Sequence, residues 1–280
     1  MTEVVRRGEA IRAAVDAARR AGRTVGLVPT MGALHEGHLS LVRAAREECD
    51  LVVASVFVNP TQFAEGEDYD RYPRDLEADR ATLAAAGCDL LFAPSVEAMY
   101  PAGSETFVDV GVAATVFEGA ARPTHFRGVA TIVLKLLNVA PADRAYFGRK
   151  DYQQTVVVRQ MVRDLMLPVA IRVCPLVRDQ DGLALSSRNA RLTPAERERA
   201  LALSRGLRLA KDCFAAGERD AAVLRRVVAD TLAAADLEPD YIALLHEGTL
   251  EEVEHVAGAT VITVAARVGE TRLLDNTVVG

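Results

Sequence analysis

The sequence predicts an α/β protein, a doubly wound parallel sheet followed by a smaller C-terminal α+β domain. Three observations carry this. Over the first two-thirds, short β-branched runs alternate with stretches of helical periodicity. The runs are continuously apolar, as strands covered on both faces are, rather than alternating. Beyond residue 176 the alternation ends, and Ala- and Arg-rich helical sequence precedes two or three last apolar runs. The expected division is 1–176 and 177–280, with the change of character falling near Leu176 to Asp181.

In chain order, "RTVGLVP" (23–29) reads as a buried strand and 37–48 as the helix after it. "LVVASVFV" (51–58) is a second strand, followed by a long loop, a helix near 73–86 and a short strand in "DLLFAP". "GVATIVLKLLNVA" suits a buried helix, "RAYFG" a strand, "DYQQTVVVRQMVRDL" a helix and "VAIRVCPLV" the closing strand. Sheets of this kind bind ligands at the carboxyl ends of their strands. In the second domain, Thr193-Pro194-Ala195-Glu196 is a helix start, with Thr at the cap and Pro in the first position. Helices run on to about Asp236, and "YIALLHE", "ATVITVAARVG" and "TRLLDN" close the chain as strands. No internal repeat or low-complexity tract interrupts this order.

Composition narrows the function classes. The 280 residues are 50% hydrophobic and 26% charged, which suits a soluble globular protein. No apolar run reaches the roughly 18 residues of a membrane span, and "MTEVVRRGEAIR" lacks the apolar core of a secretory leader. The four cysteines stand far apart, which predicts reduced, mostly buried thiols and a cytoplasmic setting. A net charge of −6 argues against a broad nucleic-acid face while allowing a local basic pocket.

Four polar clusters fall at the carboxyl ends of successive strands. In "VPTMGALHEGHLSLV", Gly32 and Gly37 let backbone approach a ligand, and the helix N-terminus offers free N–H groups. His35 and His38 either add donors for phosphate oxygens or serve as a cap and an exposed ring. No third metal ligand is evident beside them, so no metal site is expected. "FVNPTQF" places Asn59 and Gln62 where amides could hold a small hydroxy acid, or simply in the turn that Asn-Pro favours. "FGRKDYQQ" carries Lys150, Asp151 and Gln154, with Asp151 alternatively a helix cap. "LALSSRN" supplies two hydroxyls and an arginine, a phosphate set or a polar turn. Neither GxxxxGK[ST] nor GxGxxG occurs.

Together "PTMGALHEGHLSLV", "FVNPTQF", "YPRD", "RPTHFRGVATIVLKLLN", "YFGRKDYQQ", "DGLALSSRN" and "TRLLDN" resemble the pantoate–β-alanine ligase family, in order and over nearly the whole chain. "HEGH" looks like the HIGH signature of nucleotidyltransferases with a Rossmann-like sheet, and "LSSR" takes the place of their second signature loop. The resemblance implies that pantoate attacks the α-phosphate of Mg-ATP to give pantoyl adenylate and pyrophosphate. β-Alanine then displaces AMP to form pantothenate. ATP is thus a co-substrate, with Mg²⁺ carried mainly by its phosphates. The implied partners are these small molecules and a second copy in a homodimer, with no nucleic acid and no membrane.

By the same resemblance, His38 is the catalytic histidine, and with His35, Lys150 and Arg188 it serves the phosphates. Met31, Gly32, Ala33, Leu34, Glu36 and Gly37 form the rest of the nucleotide edge. Gly148, Arg149 and Asp151 line the nucleotide, Val177 packs near adenine, and Leu185, Ser186 and Ser187 close with Arg188 over the phosphates. Gln62 and Gln154 hold pantoate beside Thr30 and Met31, Asn59 supports that pocket, and Gln62 also lies near β-alanine. Tyr72, His125 and Arg127 are candidate lid residues, since a labile adenylate must be kept from water. Arg149 stands where the family usually carries Glu or Gln, and Leu185 where some members have Met. Rival readings are another adenylyl transferase of the same fold, which the amide-rich pocket disfavours, and a non-enzymatic nucleotide-binding module, which the intact histidine and cation set disfavours. A tRNA synthetase remnant lacks a basic anticodon-binding segment.

Overall fold

The apolar runs of the first two-thirds become a six-stranded, all-parallel sheet. In chain order its elements are β1 (Glu3–Val5), α1 (Gly8–Arg20), β2 (Val25–Thr30), α2 (Glu36–Glu48), β3 (Leu51–Val56), α3 (Leu76–Ala85) and β4 (Leu90–Phe92). The short α4 (Val96–Met99) and α5 (Glu118–Ala121) precede α6 (His125–Val139), β5 (Arg144–Gly148), α7 (Tyr152–Asp164) and β6 (Ala170–Cys174). The structure is a computed structural model describing residues 2–64 and 66–280. The chain divides into unit 1, Met1–Gly148 with Gln153–Cys174, and unit 2, Arg149–Tyr152 with Pro175–Gly280.

Alternate residues of the strands feed two cores. Leu27, Val53, Phe92, Ala145 and Phe147 pack on one face with Ile11 and Val15 of α1, Val129 and Val133 of α6, and Val157 and Met161 of α7. Val28, Val52, Leu91 and Tyr146 pack on the other with Leu41 and Val42 of α2 and Leu83 of α3. Both faces being covered explains why the strands read as unbroken apolar runs. The order is β1-β4-β3-β2-β5-β6. β2 and β5 lie side by side at the centre, and the chain runs outward from β2 through β3 and β4 on one side and from β5 to β6 on the other. The carboxyl ends of β2 and β5 therefore flank the switch point where doubly wound sheets receive ligands.

Local sequence explains most boundaries. The helix expected near 73–86 begins at Leu76, because the Asp75 carboxylate accepts the Ala78 N–H at 3.0 Å and caps it. The second strand stops at Val56, two residues short of the apolar run. The buried helix starts at His125 rather than Gly128. The three-residue β1 exists through its pairing with β4, Glu3 opposite Leu90, which no local pattern reveals. Cys49 and Cys88 are buried and Cys174 and Cys213 half-buried, all as free thiols.

Unit 2 holds α8 (Pro194–Ala215), α9 (Ala221–Ala233) and an antiparallel sheet of β7 (Pro239–His246), β8 (Thr260–Val268) and β9 (Thr271–Val279). The predicted cap forms reciprocally: Thr193 Oγ1 accepts the Glu196 N–H, and Glu196 Oε2 accepts the Thr193 N–H at 2.8 Å. Leu203, Leu207, Leu224 and Val228 of the two helices pack on Leu244, Ile262 and Val264 of the sheet. The Arg149–Tyr152 segment belongs to this unit. Its Tyr152 hydroxyl donates to the Thr249 carbonyl and accepts the Gly248 N–H, both at 2.9 Å.

Candidate active site

The turn after β2 is held by a buried carboxylate. Thr30 Oγ1 donates to the Ser55 carbonyl at 2.7 Å and accepts the Gly32 N–H at 3.2 Å. Gly32 then takes φ +86° and Ala33 φ +50°, reversing the chain. The carboxylate of Asp79, on α3, accepts the Ala33 N–H at 3.2 Å and the Leu34 N–H at 3.0 Å. Asp79 is only 5% exposed, and burial raises its pKa against the pull of those two donors. A Cβ on Gly32 would lie 2.7 Å from Asp79 Oδ2, so the close approach itself requires glycine.

That turn delivers His35 as the N-cap of α2 and His38 as its third residue. The Nδ1 of His38 accepts the His35 backbone N–H at 3.3 Å, and the rings stack with centroids 4.1 Å apart. A neutral His38 in this arrangement carries its proton on Nε2. Both histidines thus take part in the helix start, and the alternative of one capping and one merely exposed ring gives way to a coupled pair. Their location at the carboxyl end of β2 and the N-terminus of α2 suits an anionic ligand.

Beside this turn, Asn59 and Gln62 meet it through Met31. Asn59, 1% exposed, caps the single 3-10 turn Pro60–Gln62, and its amide donates to Gln62 Oε1 and the Gly128 carbonyl, each at 3.1 Å. The Tyr100 hydroxyl donates to Asn59 Oδ1 at 2.8 Å. Gln62 Nε2 reaches the Met31 sulfur at 2.8 Å, joining the amide cluster to the glycine turn. The Gln62 carbonyl takes bonds from His125 Nδ1 at 2.9 Å and Arg122 at 3.3 Å, and Arg122 is itself paired with Glu67. His125 is therefore tied to the amide turn. Tyr72 is buried, its ring 6.2 Å from Phe63, and Arg127 lies over the Phe107 ring at 4.4 Å. Of the two glutamines at 153 and 154, Gln153 is spent on the Ala113 and Val116 carbonyls and the Glu118 N–H, whereas Gln154 remains half-buried on α7.

Within unit 2, Arg149 to Asp151 form a single 3-10 turn ahead of α7. Lys150 Nζ lies 3.2 Å from Asp151 Oδ1, with the lysine side chain only 21% exposed. Arg149 turns to Glu247 at 3.7 Å, so its extra charge has a counter-ion. Asn276 of β9 donates to the carbonyls of Arg149 and Lys150. Residues 177–185 form a hairpin in which the Leu185 N–H bonds the Val177 carbonyl at 3.0 Å. The hairpin feeds the 3-10 helix Ser187–Arg191, capped by Ser186 Oγ through the Arg188 N–H at 3.3 Å. "LSSR" is thus a capped polar turn that carries Ser187 and Arg188 at the start of one 3-10 helix. Among the described residues, no three His, Cys, Asp or Glu side chains gather as a metal site.

Residues 3–278 match the model of the family described as pantoate-beta-alanine ligase. The chain belongs to the pantoate–β-alanine ligase family. It is accordingly a ligase of pantothenate biosynthesis, as its sequence blocks imply. It is 55% identical over 270 residues to the pantothenate synthetase of Moorella thermoacetica, covering 96% of this chain and 95% of that one. Its fold is similar to the crystal structure of pantothenate synthetase from Thermus thermophilus, at 49% identity, a TM-score of 0.93 and 99% of each chain. A pantoate-beta-alanine ligase from Francisella tularensis, complexed with beta-gamma ATP and beta-alanine, is 34% identical with a TM-score of 0.82 over 99% of this chain and 97% of that one. The Rossmann-like α/β sheet with a small C-terminal antiparallel sheet is therefore the fold of this ligase family.

Sequence reasoning missed four supports: Asp79, Tyr100, Gly128 and Asn276. Asp79 left a signal, for it falls on the apolar stripe of α3 between Leu76 and Leu83, where a carboxylate needs a partner. Gly128 lies in "RPTHFRG", and a Cβ there would come within 2.3 Å of the Thr61 carbonyl. Tyr100 and Asn276 meet their partners only through the fold.

Proposed function

We propose that the chain condenses pantoate with β-alanine through a pantoyl adenylate, in two half-reactions. The pantoate carboxylate attacks the α-phosphorus of ATP and pyrophosphate leaves. The β-alanine amine then attacks the acyl carbon, expelling AMP and forming the amide. The first step develops charge on the transferring and leaving phosphates, so fixed donors and cations supply most of the catalysis. His35 and His38, fixed at the start of α2, donate to phosphate oxygens, and His38 is the catalytic histidine. Lys150 and Arg188 neutralise phosphate charge, Ser186 and Ser187 line it, and Asp151 is assigned to the ribose and Val177 to the adenine side. Gln62 and Gln154 hold pantoate by hydroxyl and carboxylate.

The observation that carries this reading is the Gln62–Met31 contact, which sets the amide cluster beside the glycine turn and its histidine pair at the end of β2. An acid and a nucleotide phosphate bound at those two features would be neighbours, as an in-line attack requires. Mg²⁺, carried mainly by the ATP phosphates, would add charge neutralisation there. A homodimer in the cytoplasm completes the reading. The edge strand β6 and the exposed Met166 just before it are features of unit 1 that a subunit contact would cover.

The test is exchange of labelled pyrophosphate into ATP with and without pantoate, before any β-alanine is added. Exchange that needs pantoate, followed by AMP and pantothenate when β-alanine enters, is expected. His38→Ala is expected to lose exchange by at least about a hundredfold while keeping its far-UV circular dichroism. Wild-type exchange in that variant would remove the histidine from the chemistry.

A further inference from the structure

The closing "TRLLDN" block has no role in the chemistry above, yet its last residue touches the lysine turn. We propose that Asn276 is the positioning residue of Lys150: its amide fixes the peptide planes from which the lysine side chain departs. This rests on the assignment of Lys150 to the ATP phosphates.

Lys150 sits in a single turn between a strand end and a helix start, too short to hold its own geometry through repeated backbone bonds. Asn276 supplies what the turn lacks. Its Nδ2 donates to the Arg149 carbonyl at 2.8 Å and the Lys150 carbonyl at 3.1 Å, so both amide hydrogens go to consecutive peptide groups. That fork restrains rotation of the intervening peptide and so the direction of the Lys150 Cα–Cβ bond. The opposite amide orientation would set an oxygen against two carbonyl oxygens, which excludes it.

Asn276 is itself held. It is 3% exposed and pairs with Thr263 across the β8–β9 ladder. Its backbone N–H donates to Asp275 Oδ1 at 2.6 Å. Asp275, 1% exposed, receives two bonds from the Arg178 guanidinium at 2.6 and 2.9 Å. A rigid chain from Arg178 through Asp275 thus ends on the lysine turn. The amide oxygen of Asn276 is buried with no hydrogen-bond partner among the described residues. An apolar side chain of the same size would fill the space but could not engage the two carbonyls. It is the two donors that are being used.

The test is a double-mutant cycle of Asn276→Asp with Lys150→Ala, read by pantoate-dependent pyrophosphate exchange and, separately, by β-alanine capture of preformed adenylate. Asn276→Asp keeps the shape and turns acceptors toward the two carbonyls. It is expected to lower kcat/KM for ATP in exchange by about 10- to 100-fold, mostly through kcat, with β-alanine capture within about twofold of wild type. In the Lys150→Ala background the same substitution is expected to cost less than about threefold. Asn276→Ser, which keeps one donor, gives the same pattern at smaller size if the aspartate variant does not fold. Additive losses, or equal losses in both half-reactions, would overturn the proposal in favour of a general structural role. A crippled Lys150→Ala beside an unaffected Asn276 variant would overturn the clamp alone. Unimpaired exchange in Lys150→Ala would overturn the lysine assignment and this proposal with it.

Discussion

Gly32→Ala tests the idea that a buried carboxylate and a positive-φ glycine together present the histidine pair. Gly32 has φ +86°, and an added methyl meets Asp79 Oδ2 at 2.7 Å and Val56 Cγ1 at 3.0 Å. Backbone strain for a non-glycine residue in that region is about 1–2 kcal/mol. Asp79 cannot swing away freely, because its oxygens accept the Ala33 and Leu34 N–H groups. Giving up one of those bonds costs about 1–2 kcal/mol when the amide is left buried. The sum is about 2–4 kcal/mol. The chain has no tryptophan, so urea unfolding is followed by far-UV circular dichroism. Two units need not unfold together, so amide exchange across residues 30–36 is followed as the local reporter. The expected results are a lower midpoint, faster exchange in that peptide, and weaker pyrophosphate exchange because His35 and His38 follow the turn directly. A variant within about 0.5 kcal/mol of wild type, with unchanged protection over 30–36, would refute the reasoning.

Two further outcomes follow from the same contacts. Burial raises the pKa of Asp79 above its unfolded value, so the folded state holds that proton more tightly. This favours folding below the unfolded pKa of about 4 and is lost as pH rises through the folded pKa. The stability of wild type relative to Asp79→Asn, measured by urea titration at several pH values, is therefore expected to fall from pH 4 toward neutrality; a rising difference would contradict the assignment. Gly128→Ala would press a methyl to 2.3 Å from the Thr61 carbonyl and 2.6 Å from the Gln62 N, forcing α6 off the amide turn. It is expected to destabilise by about 1–3 kcal/mol and to raise KM for pantoate, and a normal melting temperature with unchanged KM would count against the Asn59–Gln62 pocket.

The sequence by itself determined the layered α/β architecture, because continuous apolar runs at strand length can be stable only when both faces are covered. It also located the polar clusters, since turn and cap chemistry in "PTMGALHEGH", "FVNPTQF" and "LTPAE" is local and survives without tertiary context. Family resemblance then tied those clusters to one reaction. The tertiary structure alone decided how the polar side chains are held. Asp79 reaches the glycine turn from a helix about 45 residues downstream, Tyr100 reaches Asn59 across 41 residues, and Asn276 reaches the lysine turn across 126. Side-chain hydrogen bonds of that span leave no periodicity to read. They exist because helices and sheets pack on shared cores, which brings distant side chains together whatever any single segment's propensity. Only the fold, too, separated Gln153, spent on loop carbonyls, from Gln154 beside it: adjacent positions on α7 face different surroundings.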